Sequence, residues 1–120
     1  MKINYKKFNE IVYAAMEQEE KEMFIAEYGI PEWIISDVTD NEEKAVKLIY
    51  DIHTVTHMSP AELVKMSGMS KTVFAGRFMI PLRTVQNWTT ESDSLRTMPI
   101  YTKFLIAEII GLFGDIEITT

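Results

Sequence analysis

The segment 81–88 gathers side chains suited to hydrogen-bonded recognition: Arg83, Thr84, Gln86 and Asn87, interleaved with Leu82, Val85 and Trp88. Arg83 and Asn87 stand four apart, so on a helix they share a face. A guanidinium can give two parallel bonds to a guanine edge, and a carboxamide can pair with an adenine edge. Gln86 lies beside that face and can read a base or hold a neighbour. Thr84 suits a backbone or phosphate contact, and upstream Ser70 and Lys71 are placed for phosphate. Other chemistry is sparse. His53 and His57 are also four apart and could grip a metal from one helix face, but no third ligand accompanies them. The nearest acids are Asp51 and Glu62. No metal or other cofactor is therefore expected, and both histidines read as surface or boundary residues. Cysteine is absent, no glycine-rich phosphate loop occurs, and neither histidine belongs to a His-Glu-x-x-His arrangement. The acids fall on expected solvated faces, so no catalytic pair can be chosen and an enzyme is not expected.

The elements that must position 81–88 are marked by local signals. Ser59-Pro60-Ala61-Glu62 is a capping box with proline at the first helical position. Leu63, Val64 and Met66 follow, and Gly68 stops that helix. Ser70 can cap the next helix, in which Val73, Phe74, Ala75 and Phe78 give apolar positions. Met79–Ile80 forms a break, and Pro81 suits a second helix start. Phe74, Phe78, Ile80, Val85 and Trp88 are assigned to the core. The result is two short helices joined by a tight turn, the second with an apolar side and an Arg/Gln/Asn side. That is the form of a helix-turn-helix.

Residues 59–88 resemble the helix-turn-helix of phage-repressor-like (XRE-type) DNA-binding domains. The similarity is carried by Ser70, Phe74, Ala75, Phe78, Ile80, Pro81, Arg83, Thr84, Gln86, Asn87 and Trp88. The resemblance implies duplex DNA as partner, with Arg83, Gln86 and Asn87 reading bases and Ser70, Lys71 and Thr84 on phosphates. The chain departs from the family pattern at two points. Met79 occupies the turn position where glycine is usual, and Thr89 stands where a glutamate usually follows the tryptophan.

Towards the N-terminus, residues 3–16 read as a helix capped by Asn4, with Phe8, Ile11, Val12, Ala15 and Met16 at helical spacing. An acidic run from Glu17 to Glu22 follows, and the apolar pattern continues to a stop at Gly29. Pro31 can start a short helical turn through Trp33, Ile34 and Ile35. Trp33 with its isoleucine neighbours reads as either a core plug or a partner-binding anchor. Asp40 or Asn41 caps a helix buried through Ala45, Val46, Leu48, Ile49 and Ile52. After Trp88, residues 89–98 read as a loop. Pro99 then opens a strongly apolar helix through Phe113, ended by Gly114 and buried by the core, by a second subunit, or by both. Residues 115–120 are a tail, as a short strand or frayed.

A length of 120 residues with 47% hydrophobic composition bounds the chain to one globular domain, or one with a helical arm. Lack of cysteine and of any bilayer-length apolar run leads to the expectation of a cytoplasmic protein without membrane contact. The net charge of −6 is unevenly spread. Residues 1–57 hold six lysines and twelve acids; residues 58–105 hold six basic residues and three acids; residues 106–120 hold three acids. Positive charge thus gathers around 81–88, though a surplus of three is a weak field for a nucleic-acid binder.

The expected protein is all-α: a compact helical domain of about five to seven helices containing a repressor-like helix-turn-helix. Residues 1–57 form an acidic helical region for dimerisation or partner binding, residues 58–114 the DNA-binding domain, and residues 115–120 the tail. The expected function is sequence-specific transcriptional regulation by a homodimer that reads the major groove with 81–88. The alternative is a protein-interaction module, antitoxin-like or inhibitor-like, that keeps the fold without using it on DNA.

Overall fold

Side-chain caps from Asn4, Asn41, Ser59 and Ser70 fix the starts of four helices. The computed structural model describes residues 1–90 and 98–120. It is mostly helical, with seven α-helices, one π-helical turn and two three-residue strands among the described residues. The chain divides into two units, residues 1–57 with 111–120, and residues 58–110.

The first unit begins with β1 (Lys2–Asn4), not with helix as the sequence suggested. Ile3 is drawn into a parallel pair with β2 (Glu117–Thr119), in register Ile3 with Ile118, and is 2% exposed. The tail beyond Asp115 therefore holds a strand. Asn4 then caps α1 (Tyr5–Met16), its Oδ1 accepting from the Lys6 N–H at 2.8 Å. Phe8, Ile11, Val12 and Ala15 form the buried stripe of α1. It packs on α3 (Glu42–Thr56), whose buried side includes Ala45, Leu48, Ile49, Ile52 and Val55. Asn41 supplies the cap of α3 by accepting from the Lys44 N–H. Between them lies α2 (Lys21–Tyr28), which contributes Phe24 and ends at Gly29 with φ +68°. The expected short turn after Pro31 is present, continuing as π-helix over Ile34–Val38 and burying Ile34. Trp33 is half-buried, with the Lys7 ammonium 5.3 Å from its ring centre. Phe113 meets Phe8 edge to face, ring centres 5.3 Å apart.

The second unit opens with α4 (Pro60–Ser67). Its capping box is complete: Ser59 Oγ accepts from the Glu62 N–H, and the Glu62 carboxylate accepts from the Ser59 N–H. Gly68 closes α4 in the left-handed region. Ser70 caps α5 (Lys71–Arg77) through the Val73 N–H. Next come α6 (Leu82–Trp88) and α7 (Ile100–Ile109). The expected loop over 89–98 falls mostly on 91–97, outside the described residues. The α7 helix stops earlier than Phe113, because Gly111 and Gly114 both take positive φ and turn the chain. No described helix is long and apolar enough to cross a membrane.

Candidate nucleic-acid interface

The join between α5 and α6 fixes the pose of the α6 side chains. The Phe78 N–H closes the last regular turn on Phe74 O, the Met79 N–H bonds Gly76 O, and the Ile80 N–H bonds Ala75 O at 2.9 Å. These last two bonds are a Schellman closure, which requires a left-handed residue after the cap. Met79 is that residue, with φ +56°. Its side chain is 92% exposed, so no packing offsets the backbone strain of about 1–2 kcal/mol that an L-residue meets there. Pro81 is the capping residue of α6, not its first helical residue. Its carbonyl accepts from the Thr84 and Val85 N–H groups, and its missing N–H leaves no donor orphaned.

Across the pair, Phe74, Ala75 and Val85 are fully buried. Phe78, Ile80 and Trp88, expected in the core, are only half-buried, and Leu82 is exposed. Helix geometry explains this. Each three-residue step falls about 60° short of a full turn, so Leu82, Val85 and Trp88 spread over about 120° with only Val85 central. In a seven-residue helix the outer two also lie at the ends, where fewer neighbours cover them.

The same geometry places the polar residues. Arg83 and Asn87 fall about 160° to either side of Val85, straddling the direction opposite the buried side, and Gln86 and Thr84 flank them at about 100°. Arg83 and Gln86 are exposed, and Asn87 and Thr84 are half-exposed. No hydrogen bond or ion pair to another described residue occupies the side chains of Arg83, Gln86 or Asn87. The helix end is closed from its own side. Thr89 Oγ1 donates to Val85 O at 2.9 Å and Thr90 Oγ1 donates to Gln86 O at 2.7 Å. Thr89, standing where the resemblance would put glutamate, thereby serves as a terminator of α6.

Ser70 Oγ spends a lone pair on the Val73 N–H, which leaves its proton for an external acceptor. Lys71 beside it is exposed. Two further cations of the unit are engaged: Arg77 lies over the Phe78 ring at 5.4 Å, and the Lys103 ammonium donates to Met58 O at 3.1 Å. Burial holds the Lys103 ammonium below its ordinary pKa, against a smaller opposing effect of Glu62. The sequence reading missed three exposed apolar side chains on this helix pair, Val73, Met79 and Leu82. For Leu82, the 60° drift per three-residue step was the available signal.

The two histidines are not surface residues of one kind. His53 is 3% exposed, and its Nε2 lies 2.7 Å from Gln18 O; His57 Nε2 lies 2.7 Å from Ala15 O. Their rings are 4.4 Å apart, and Phe24 stacks on His53. Each ring nitrogen donates to a main-chain carbonyl, His57 to Ala15 in the last turn of α1 and His53 to Gln18 in the loop that follows it. Among the described residues, no group of three or more acids or histidines is placed to hold a metal ion.

Compared with family models, curated proteins and solved structures, the chain matches none.

Proposed function

We propose that the protein binds duplex DNA in a sequence-specific way and regulates transcription, with α6 entering the major groove. The observation that carries this reading is the pairing of Arg83 with Asn87 on the side of α6 opposite Val85. Both lack partners among the described residues, and both stand on a helix whose pose is fixed by the α5 Schellman closure. A guanidinium and a carboxamide one turn apart match adjacent guanine and adenine edges. Gln86 reads or supports from one flank; Thr84, with Ser70 and Lys71, takes phosphate and sets the register. The charge agrees in sign: residues 58–110 hold six basic and four acidic residues, whereas the first unit holds six lysines and fourteen acids. The resemblance of residues 59–88 to phage-repressor-like domains points the same way.

The test is substitution at positions that carry no fold energy. Arg83→Ala and Asn87→Ala are expected to keep parental helicity by circular dichroism while losing about 1–3 kcal/mol of sequence-specific duplex affinity each. Unchanged affinity in both variants would refute the assignment.

A second reading, a protein-interaction module, is favoured by exposed Val73, Met79 and Leu82 on the same helix pair. It expects Leu82→Ser and Met79→Ser to abolish partner binding while Arg83→Ala leaves it intact.

A further inference from the structure

The first unit holds six lysines against fourteen acids, yet three of the six gather at one place. Lys2, Lys6 and Lys7 line a single open cavity of about 610 Å³, together with Trp33. The lining comes from β1, the first half of α1 and the π-helical turn, all within that unit. The fold gains little from these lysines. Lys6 and Lys7 stand in the first turn of α1, where no acid accompanies them and the helix dipole disfavours a cation. Lys2 meets Glu117 and Lys7 meets Glu10, each at 3.8 Å and in solvent, and such exposed pairs contribute little. Lys6 has no ion pair among the described residues.

The rest of the lining is also suited to a ligand. Trp33 is half-buried, and its ring already attracts a cation, the Lys7 ammonium at 5.3 Å. Asn4 spends its Oδ1 on the Lys6 N–H, which leaves its amide N–H groups for an acceptor from outside. Asp37, on the π-helical turn, and Glu10 add acceptors. An aromatic ring, ammonium and amide donors, and carboxylate acceptors thus border one space. Its volume lies in the ~300–1,000 Å³ range of small-molecule sites.

We propose that this cavity binds a mononucleotide, with the base on Trp33, a base N–H donating to Asp37 and the phosphate among Lys2, Lys6 and Lys7. Stacking on an aromatic ring tolerates any base, so ring and lysines select the class, and Asp37 favours bases that present an N–H donor. A run of acidic side chains or a nucleic-acid strand fits poorly. Beyond the three lysines either would meet Glu10, Asp37 and a unit whose overall charge repels a polyanion, whereas a single phosphate stays within reach of the ammonium groups. The site lies in the first unit and does not rest on the DNA-binding reading.

Calorimetric titration of the full-length chain with AMP tests it, with adenosine, ribose 5-phosphate and a tetraglutamate peptide as companion probes. AMP is expected to bind with a Kd between roughly 10 μM and 1 mM. Adenosine lacks the phosphate and ribose 5-phosphate lacks the base, so each is expected to bind at least about tenfold more weakly. The double variant Lys6→Gln, Lys7→Gln is expected to lose about tenfold or more in AMP affinity. Its unfolding midpoint should stay at or above the parent's, because two cations leave the positive end of α1. An AMP Kd weaker than about 1 mM, equal affinity for AMP and either fragment, a double variant that binds AMP like the parent, or tighter binding of the peptide than of AMP would overturn the proposal.

Discussion

Met79 and His53 are the two residues whose local chemistry makes the sharpest statements about stability. Met79 takes a left-handed backbone with its side chain in water, so glycine at that position relieves strain without opening a cavity. Met79→Gly is expected to raise unfolding free energy by about 1 kcal/mol in urea titration, and a loss of stability would show that the side chain matters to the fold. His53 is held below its ordinary pKa chiefly by burial, with smaller contributions from His57 and Lys21, opposed by the Gln18 carbonyl and Glu22. The folded state therefore binds this proton less readily than the unfolded chain. The unfolded state holds more protons just below pH 6.5, so stability rises with pH through that window and falls as pH drops towards the folded-state value. Unfolding midpoints should increase from pH 5 to pH 7, and His53→Gln should flatten that slope. A steeper slope in the variant would contradict the burial argument.

At the scale of elements, the helix ends were legible because a cap is written within four residues. Ser59-Pro60-Ala61-Glu62, Gly68 and Ser70 all do what their types dictate, and the break at Met79–Ile80 forms where expected. Asn4 and Asn41 cap as well. Less legible was how far each apolar residue is covered. Leu82, Val85 and Trp88 look equivalent in spacing, yet only Val85 is central, because burial depends on the neighbours that meet each end. The β1–β2 pair could not be read locally at all. Each strand is three residues long, and their contact joins Ile3 to Thr119, 116 positions apart. The His53 and His57 spacing was visible, but their acceptors, Ala15 in α1 and Gln18 in the loop after it, lie 42 and 35 positions away. These distinctions predict how substitutions divide. Phe74→Ala, deep between α5 and α6, is expected to lose about 3–5 kcal/mol of stability. Arg83→Ala is expected to stay within about 0.5 kcal/mol of the parent. If Arg83→Ala unfolds the unit in thermal melts, its side chain has a structural role and the recognition assignment loses its basis.

For the molecule as a whole, charge is divided between the units: a net of −8 in the first and +2 in the second. On the proposed DNA-binding reading, so modest a surplus predicts few phosphate contacts and low affinity for unrelated DNA, with discrimination expected from α6. Duplex affinity should fall with salt on a shallow logarithmic slope, and Lys71→Ala should reduce that slope by about one contact, similarly across sequences. A variant that changes base preference instead would move Lys71 from the phosphate group of contacts to the base-reading group. The central claim is that Arg83 on α6 reads base edges. Selection from a random duplex pool at fixed, near-physiological salt, with Arg83→Ala run beside the parent, tests it most directly. Enrichment of a defined motif by the parent, with the base preference at one position lost in Arg83→Ala, is the predicted result. The same motif enriched equally by both, or none by the parent, would contradict it.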